Sequence, residues 1–137
     1  MKPLFTCICL LASTTFLRAQ TVPYNVVFDI TSKDTNDHNA VIRWMSGISQ
    51  GDPNAKLEVV FYGQSLNMIR KDKSTVAPAI EQLLQNKNVS FKVCAVAMKH
   101  HNIDASYLLP GVGIVPDGIY EIISREKEGW GYIKVTH

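Results

Sequence analysis

The chain of 137 residues predicts an α/β fold, a three-layer sandwich around a mainly parallel five-stranded sheet of Rossmann-like type. Two observations carry that expectation. Short β-type runs rich in Val, Ile and Phe alternate with stretches whose apolar residues recur at helical spacing, the signature of β-α-β units. No internal repeat, low-complexity tract or interdomain linker interrupts the alternation, and the length suits one domain with a single core.

The elements follow in order. Tyr24 to Ile30 reads as the first strand. Thr35, Asn36 and Asp37 offer N-caps for a helix in which Val41, Trp44, Met45 and Ile48 form the buried stripe, and Gly51-Asp52-Pro53-Asn54 ends it. Leu57 to Tyr62 is the second strand, closed by Gly63. Gln64 to Lys73 is a polar connection with a short turn around Leu66 to Ile69. Ser74 or Thr75 can cap the next helix, where Val76, Ile80, Leu83 and Leu84 make the stripe and Pro78 is tolerated because it falls in the first turn. Val89 to Val93 is the third strand and runs directly into Cys94, after which a short helix extends through Lys99. Asp104 to Leu109 is a further turn. Val112 to Val115 is a short fourth strand, turned by Pro116-Asp117-Gly118 into a helix marked by Ile119, Ile122 and Ile123, with Gly129 at its C-terminal cap. Tyr132 to Val135 closes the sheet.

The first 19 residues read as a secretory signal. Lys2 supplies the positive start, Leu4 to Leu17 is largely apolar, and Leu17-Arg18-Ala19 resembles a small-residue cleavage site. The apolar run falls short of the ~20 residues a spanning helix needs. Cleavage after Ala19 leaves 118 residues, 20–137, as a single domain exported to the periplasm or beyond the cell. Lys2 and Arg18 leave with the signal, so the 14 basic residues fall to 12 against 12 acidic ones. A neutral domain without a basic stripe is no nucleic-acid binder, and no basic tract suggests an anionic membrane.

Cys7 and Cys9 also lie in the signal, which leaves Cys94 as the one thiol of the mature chain. Oxidising compartments pair cysteines, so an unpaired one is reactive or bridges to a second chain. Cys94 sits where a strand hands over to a helix, and helix-end N–H groups favour thiolate over thiol. The other reading is a small residue packed among Val93, Ala95 and Val96. Strand alternation puts Lys92 on the face of Cys94, while Lys99, His100 and His101 follow on the helix. The adjacent histidines diverge. They are either solvated helix-end residues or, one of them, a proton donor or base for the sulfur.

Ligands of open parallel sheets bind beyond the carboxyl ends of the strands. Asp29 to Lys33, Gly63 to Ser65, Cys94 and Pro116 to Gly118 all come from that end. Asp29, with Asp34, Asp37 and His38, caps the first helix or else reaches the loop-end site. No C-x-x-C or H-x-x-x-H spacing suggests a metal, and no dinucleotide fingerprint, Walker loop or G-x-S-x-G elbow suggests another cofactor, phosphoryl transfer or hydrolysis. Asn88-Val89-Ser90 matches a glycosylation sequon at the opening of a strand. Trp130 and Tyr132 alternate outward on the last strand, either covering a subunit contact or packing in the core.

Three stretches then resemble the DsrE/DsrF-like family of small sulfur-relay-related proteins. They are Leu57-Glu58-Val59-Val60-Phe61-Tyr62-Gly63, Phe91-Lys92-Val93-Cys94-Ala95-Val96-Ala97-Met98, and Leu108-Leu109-Pro110-Gly111-Val112-Gly113-Ile114-Val115-Pro116-Asp117-Gly118-Ile119, followed by Gly129-Trp130-Gly131-Tyr132-Ile133. The resemblance implies a Rossmann-like sandwich, homo- or hetero-oligomers such as trimers or hexamers, and a cysteine that carries sulfur as a persulfide. Cys94 alone matches that cysteine. Sulfur delivery to tRNA fits neither the export signal nor the neutral charge. The expectation is therefore an exported persulfide carrier or thiol-exchange protein working through Cys94 with a sulfur donor or acceptor. Lys92, Lys99, His100, Asp29 and Gly63 are its possible supports. A non-catalytic small-ligand-binding oligomer with a structural cysteine is the alternative, and a purely structural oligomer a third.

Overall fold

The computed structural model describes residues 22–136, and the signal reading of residues 1–19 lies outside them. The chain runs β1 (Asn25–Ile30), α1 (Thr35–Gly51), β2 (Lys56–Phe61), a 3₁₀ turn (Ser65–Ile69), α2 (Ala77–Leu83), β3 (Val89–Cys94), α3 (Ala95–His100), a second 3₁₀ turn (Ala105–Tyr107), β4 (Gly113–Val115), α4 (Gly118–Lys127) and β5 (Gly131–Val135). The five strands form one sheet in the order β4-β3-β2-β1-β5, every pair parallel. The expected sheet is therefore present and wholly parallel.

Crossover handedness explains the layers. β1 to β4 progress in one direction across the sheet, so their right-handed crossovers lie on one face. That face buries Phe28, Phe61 and Phe91 completely, against Val41 and Met45 of α1, Ile80 of α2 and Met98 of α3. Phe61 and Phe91 stack at 6.0 Å. From β4 the chain must return past three strands to place β5 beside β1, and the reversed direction puts α4 on the opposite face. There α4 covers a much smaller apolar cluster, Val27, Val60 and Ile122, with Tyr62 and Trp130 packed at its margin.

Caps depart from expectation in detail. Asp34, not Thr35, Asn36 or Asp37, is the N-cap of α1 and accepts from the Asn36 N–H at 2.7 Å. Val76 occupies the cap position of α2, while Ser74 Oγ accepts the Val76 N–H at 3.3 Å. Trp44 is only half-buried and stacks on Phe28 at 6.4 Å. Gly129 ends α4 as expected, with a left-handed φ of 86° that disfavours any side chain.

The thin second face is held by charge. Glu58, buried beneath α4, accepts from Ser90 Oγ at 2.9 Å and from both Nε and Nη2 of Arg125, at 3.1 and 3.0 Å. Arg125 also pairs with Glu121 and Glu128 on its own helix and lies over the Trp130 ring at 5.0 Å. Burial, then the neighbouring Glu58, holds the Glu121 carboxyl above the usual range despite Arg125 and Lys92. Glu58, the most deeply buried of the three carboxylates around Arg125, takes two of its N–H groups. Removing one member of such a pair leaves an uncompensated buried charge, whereas replacing both with apolar residues can be neutral. Arg125→Met should lower unfolding free energy by about 3 kcal/mol in urea titration. Adding Glu58→Leu should restore most of it, and a double variant as weak as the single one would exclude this account.

Candidate functional site

Adjacent strands whose following loops leave to opposite faces open a crevice between them. In this sheet that pair is β3 and β4, since β3 feeds α3 on the crowded face and β4 feeds α4 on the thin one. Cys94 is the last residue of β3 and pairs in register with Val115, the last of β4. The sulfur therefore lies at the switch point of the fold.

A groove of about 340 Å³ opens there. Tyr62 and Gly63 come from the end of β2, Cys94, Val96 and Ala97 from the β3–α3 junction, His100 and His101 from the far end of α3, and Asp117 and Ile119 from the start of α4. Cys94 is 7% exposed: it is buried as part of the main core cluster and at the same time lines the groove. It occupies the N-cap position of α3, yet its side chain accepts no hydrogen bond from the helix amides, and α3 has only six residues.

The walls are fixed by short contacts. A Cβ added to Gly118 would stand 3.1 Å from Cys94 Cβ and 3.2 Å from Val60 Cγ1, so only glycine lets α4 start this close to the sulfur. Asp117 caps that helix, accepting from the Ile119 and Tyr120 N–H groups at 2.9 and 3.2 Å. Gly63 turns with a φ of 60° beneath the groove, and a Cβ there would lie 3.2 Å from Thr31 Cβ. Ser65 Oγ sits 2.8 Å from the carbonyl oxygens of Ile30 and Tyr62 and ties the ends of β1 and β2 together.

Tyr62 is held from behind by Asp29. The buried Asp29 carboxylate accepts from Tyr132 Oη at 2.6 Å and Lys134 Nζ at 3.0 Å, and Lys134 Nζ lies 5.5 Å from the centre of the Tyr62 ring. Burial, then the Asp29 carboxylate, pushes the Tyr62 phenol far above the ordinary tyrosine range. The hydrogen bond to Asp29, then burial, pushes Tyr132 up to about 12. Tyr62 thus presents a neutral phenol to the groove and is no base at physiological pH.

Of the residues singled out from sequence, Cys94, Gly63, His100 and His101 line one groove. The adjacent histidines therefore do not diverge as expected: His101 stands at the C-cap, past the last helical residue, and its ring is 5.1 Å from that of His100. Lys92 shares the sheet face of Cys94, but its chain lies across Gly113 of β4 and its charge acts on Glu121. Lys99 is exposed in the last turn of α3 and does not line the groove. Asp29 caps no helix. It is one shell away, behind Tyr62, and its partners come from β5, the neighbouring strand in register. Tyr62, Asp117 and Ile119 were not singled out individually. The alternation Glu58, Val60, Tyr62 marks Tyr62 as facing the same side as Cys94. Among the described residues, no group of three or more His, Cys, Asp or Glu side chains could hold a metal ion, and no helix is long and apolar enough to cross a membrane.

The geometry is that of a small, wholly parallel α/β domain with a cysteine, Cys94, at the β3/β4 switch point. The chain belongs to the DsrE/DsrF-like family, whose model matches residues 25–135. Among solved structures it is similar to a protein of unknown function from Methanobacterium thermoautotrophicum, MTH1491, with 30% identity, a TM-score of 0.75, and coverage of 81% of this chain and 98% of that one. A conserved protein of unknown function from Bacteroides thetaiotaomicron, BT1422, shares the fold at 15% identity and a TM-score of 0.68, covering 82% and 95% of the two chains. The ychN protein of E. coli does so at 15% and 0.65, covering 82% and 98%. None of the curated proteins matches.

The tight approach of α4 to the sulfur gives a direct check. Gly118→Ala should overpack the Cys94–Val60 contact, costing about 1–3 kcal/mol in urea titration. It should also alter the alkylation rate of Cys94 under native conditions, read by mass spectrometry. Wild-type stability together with wild-type labelling would show that the contact is slack.

Proposed function

We propose that this protein is an exported, oligomeric sulfur carrier that holds a persulfide on Cys94, in the periplasm or outside the cell. Family membership suggests a sulfur-relay-related role. The observation that carries the finer reading is the position of Cys94 at the base of a groove at the switch point of the sheet. The apolar side chains Val96, Ala97 and Ile119 suit a weakly hydrated sulfur chain.

The chemistry balances without an external oxidant. The Cys94 sulfur, as thiolate, attacks a sulfane sulfur of a polysulfide. The Cys94–sulfur bond forms as the donor's S–S bond breaks, and the electron pair leaves with the shortened donor. An acceptor nucleophile then attacks the outer sulfur and returns the thiolate. Intact mass after incubation with a polysulfide should show one added sulfur atom on wild type and none on Cys94→Ser. If wild type gains no mass while native Cys94 also resists alkylation, the cysteine is structural. The burial of that residue would then favour a non-catalytic ligand-binding module.

Association is supported by an exposed apolar stripe that begins at the rim of the groove. Val96 and Ile119 are 64% and 57% exposed, and Ile123 follows one turn beyond Ile119 on the same face of α4. A second copy of the chain is the occupant we assign to it. Sedimentation should show an oligomer for wild type and smaller species for Ile119→Lys. A monomeric wild type would remove the association.

A further inference from the structure

The loop end of the sheet carries a second depression, of about 210 Å³, that adjoins the cysteine groove at Gly63 and His101. Its chemistry is different. Lys33 enters from the β1–α1 loop, Gln64 and Asn67 from the turn after β2, Arg70 from the end of that turn, and His101 from the end of α3. No Asp or Glu lines it.

We propose that this depression binds a small anion, a carboxylate or tetrahedral oxyanion, held by Lys33 and Arg70 with Gln64, Asn67 and His101 as further hydrogen-bonding groups. The chain as a whole carries nearly balanced charge, with 14 basic and 12 acidic residues, so a lining with basic groups and no acidic one is a local arrangement. Lys33 has no ion pair and no side-chain hydrogen bond among the described residues, which leaves all three of its donors for a ligand. Arg70 is the opposite case. Its Nε and Nη2 donate to Asp72 at 3.0 and 2.7 Å, and the guanidinium lies 5.6 Å from the centre of the Tyr107 ring. That pairing orients the guanidinium while Nη1 has no hydrogen-bond partner among the described residues, so one edge of the fork is open to a ligand. The Asp72 carboxylate that holds it is not part of the lining. The volume is below the roughly 300–1,000 Å³ of pockets that take drug-sized ligands, which selects a small anion over a nucleotide.

The site does not rest on sulfur chemistry, although a ligand longer than the depression would reach over Gly63 and His101 toward Cys94. Calorimetric titration with inorganic phosphate and, separately, succinate tests it, with chloride added to hold ionic strength constant. Saturable binding of either anion is expected. Tighter phosphate assigns an oxyanion and tighter succinate a carboxylate. Lys33→Ala, an exposed position whose loss disturbs no contact, should weaken binding about tenfold, the effect of one charge-assisted contact, and so should Arg70→Lys. Cys94→Ser should bind as wild type does, which separates this site from the sulfur carrier. Heats no larger than those of chloride, or wild-type affinity in both Lys33→Ala and Arg70→Lys, would overturn the proposal.

Discussion

One handedness constraint organises this molecule. Because β-α-β crossovers are right-handed, a chain that lays down β1 to β4 in one direction and then returns to place β5 beside β1 must send its last helix to the other face. Two consequences follow. The loops after β3 and β4 part company, which opens the crevice at Cys94. And α4 alone must cover a face that three helices cover on the other side, with only Val27, Val60 and Ile122 as its apolar support.

Two buried carboxylates make up for that thin cluster, and each stands behind one wall of the groove. Glu58 anchors α4 through Arg125, and so sets how closely Gly118 approaches Cys94. Asp29 gathers Tyr132 and Lys134 from β5 and sits behind Tyr62. An apolar face of the same size would slide more easily, since dispersion contacts are non-directional and hydrogen-bonded ion pairs are not. The polar network therefore does more to fix the shape of the groove than to add stability, because desolvation of buried ions offsets much of their attraction. Arg125 illustrates the balance. Burial disfavours its charge, yet Glu58, Glu128 and Glu121 together hold it firmly protonated.

Periodicity made the architecture legible and left the tertiary partners hidden. The strands at Val26–Ile30 and Leu57–Phe61 read clearly because they lie in the sheet interior and are apolar almost throughout, while Val89–Val93, also interior, reads from its alternation of Val89, Phe91 and Val93 with Ser90 and Lys92. Asp29 was the misleading residue. Alternation says which face it occupies, but not that Lys134, 105 positions later, is its neighbour in register. The caps stand one to three residues from the expected places because Asp, Ser, Thr and Asn crowd those turns and any of them suits the local geometry. The lysines flanking Cys94 looked equivalent in sequence, yet Lys92 is drawn along the sheet toward Glu121 and Lys99 is carried outward by the helix. Sequence spacing alone does not resolve such directions.

What the groove admits follows from how little of Cys94 is exposed. Attack on an S–S bond requires the incoming sulfur, the central sulfur and the leaving sulfur to line up, so access matters as much as ionisation. In the proposed role, a residue only 7% exposed, with Gly118 packed against its Cβ and Ile119 at the rim, would offer that line to a narrow, unbranched chain of sulfur atoms. A disulfide embedded in a folded protein has bulk on both sides and would, in that role, have to approach past α4, which the Glu58–Arg125 pair holds. Under the proposed carrier role, the same fixed helix that gives the groove its shape would favour small sulfane donors over protein disulfides.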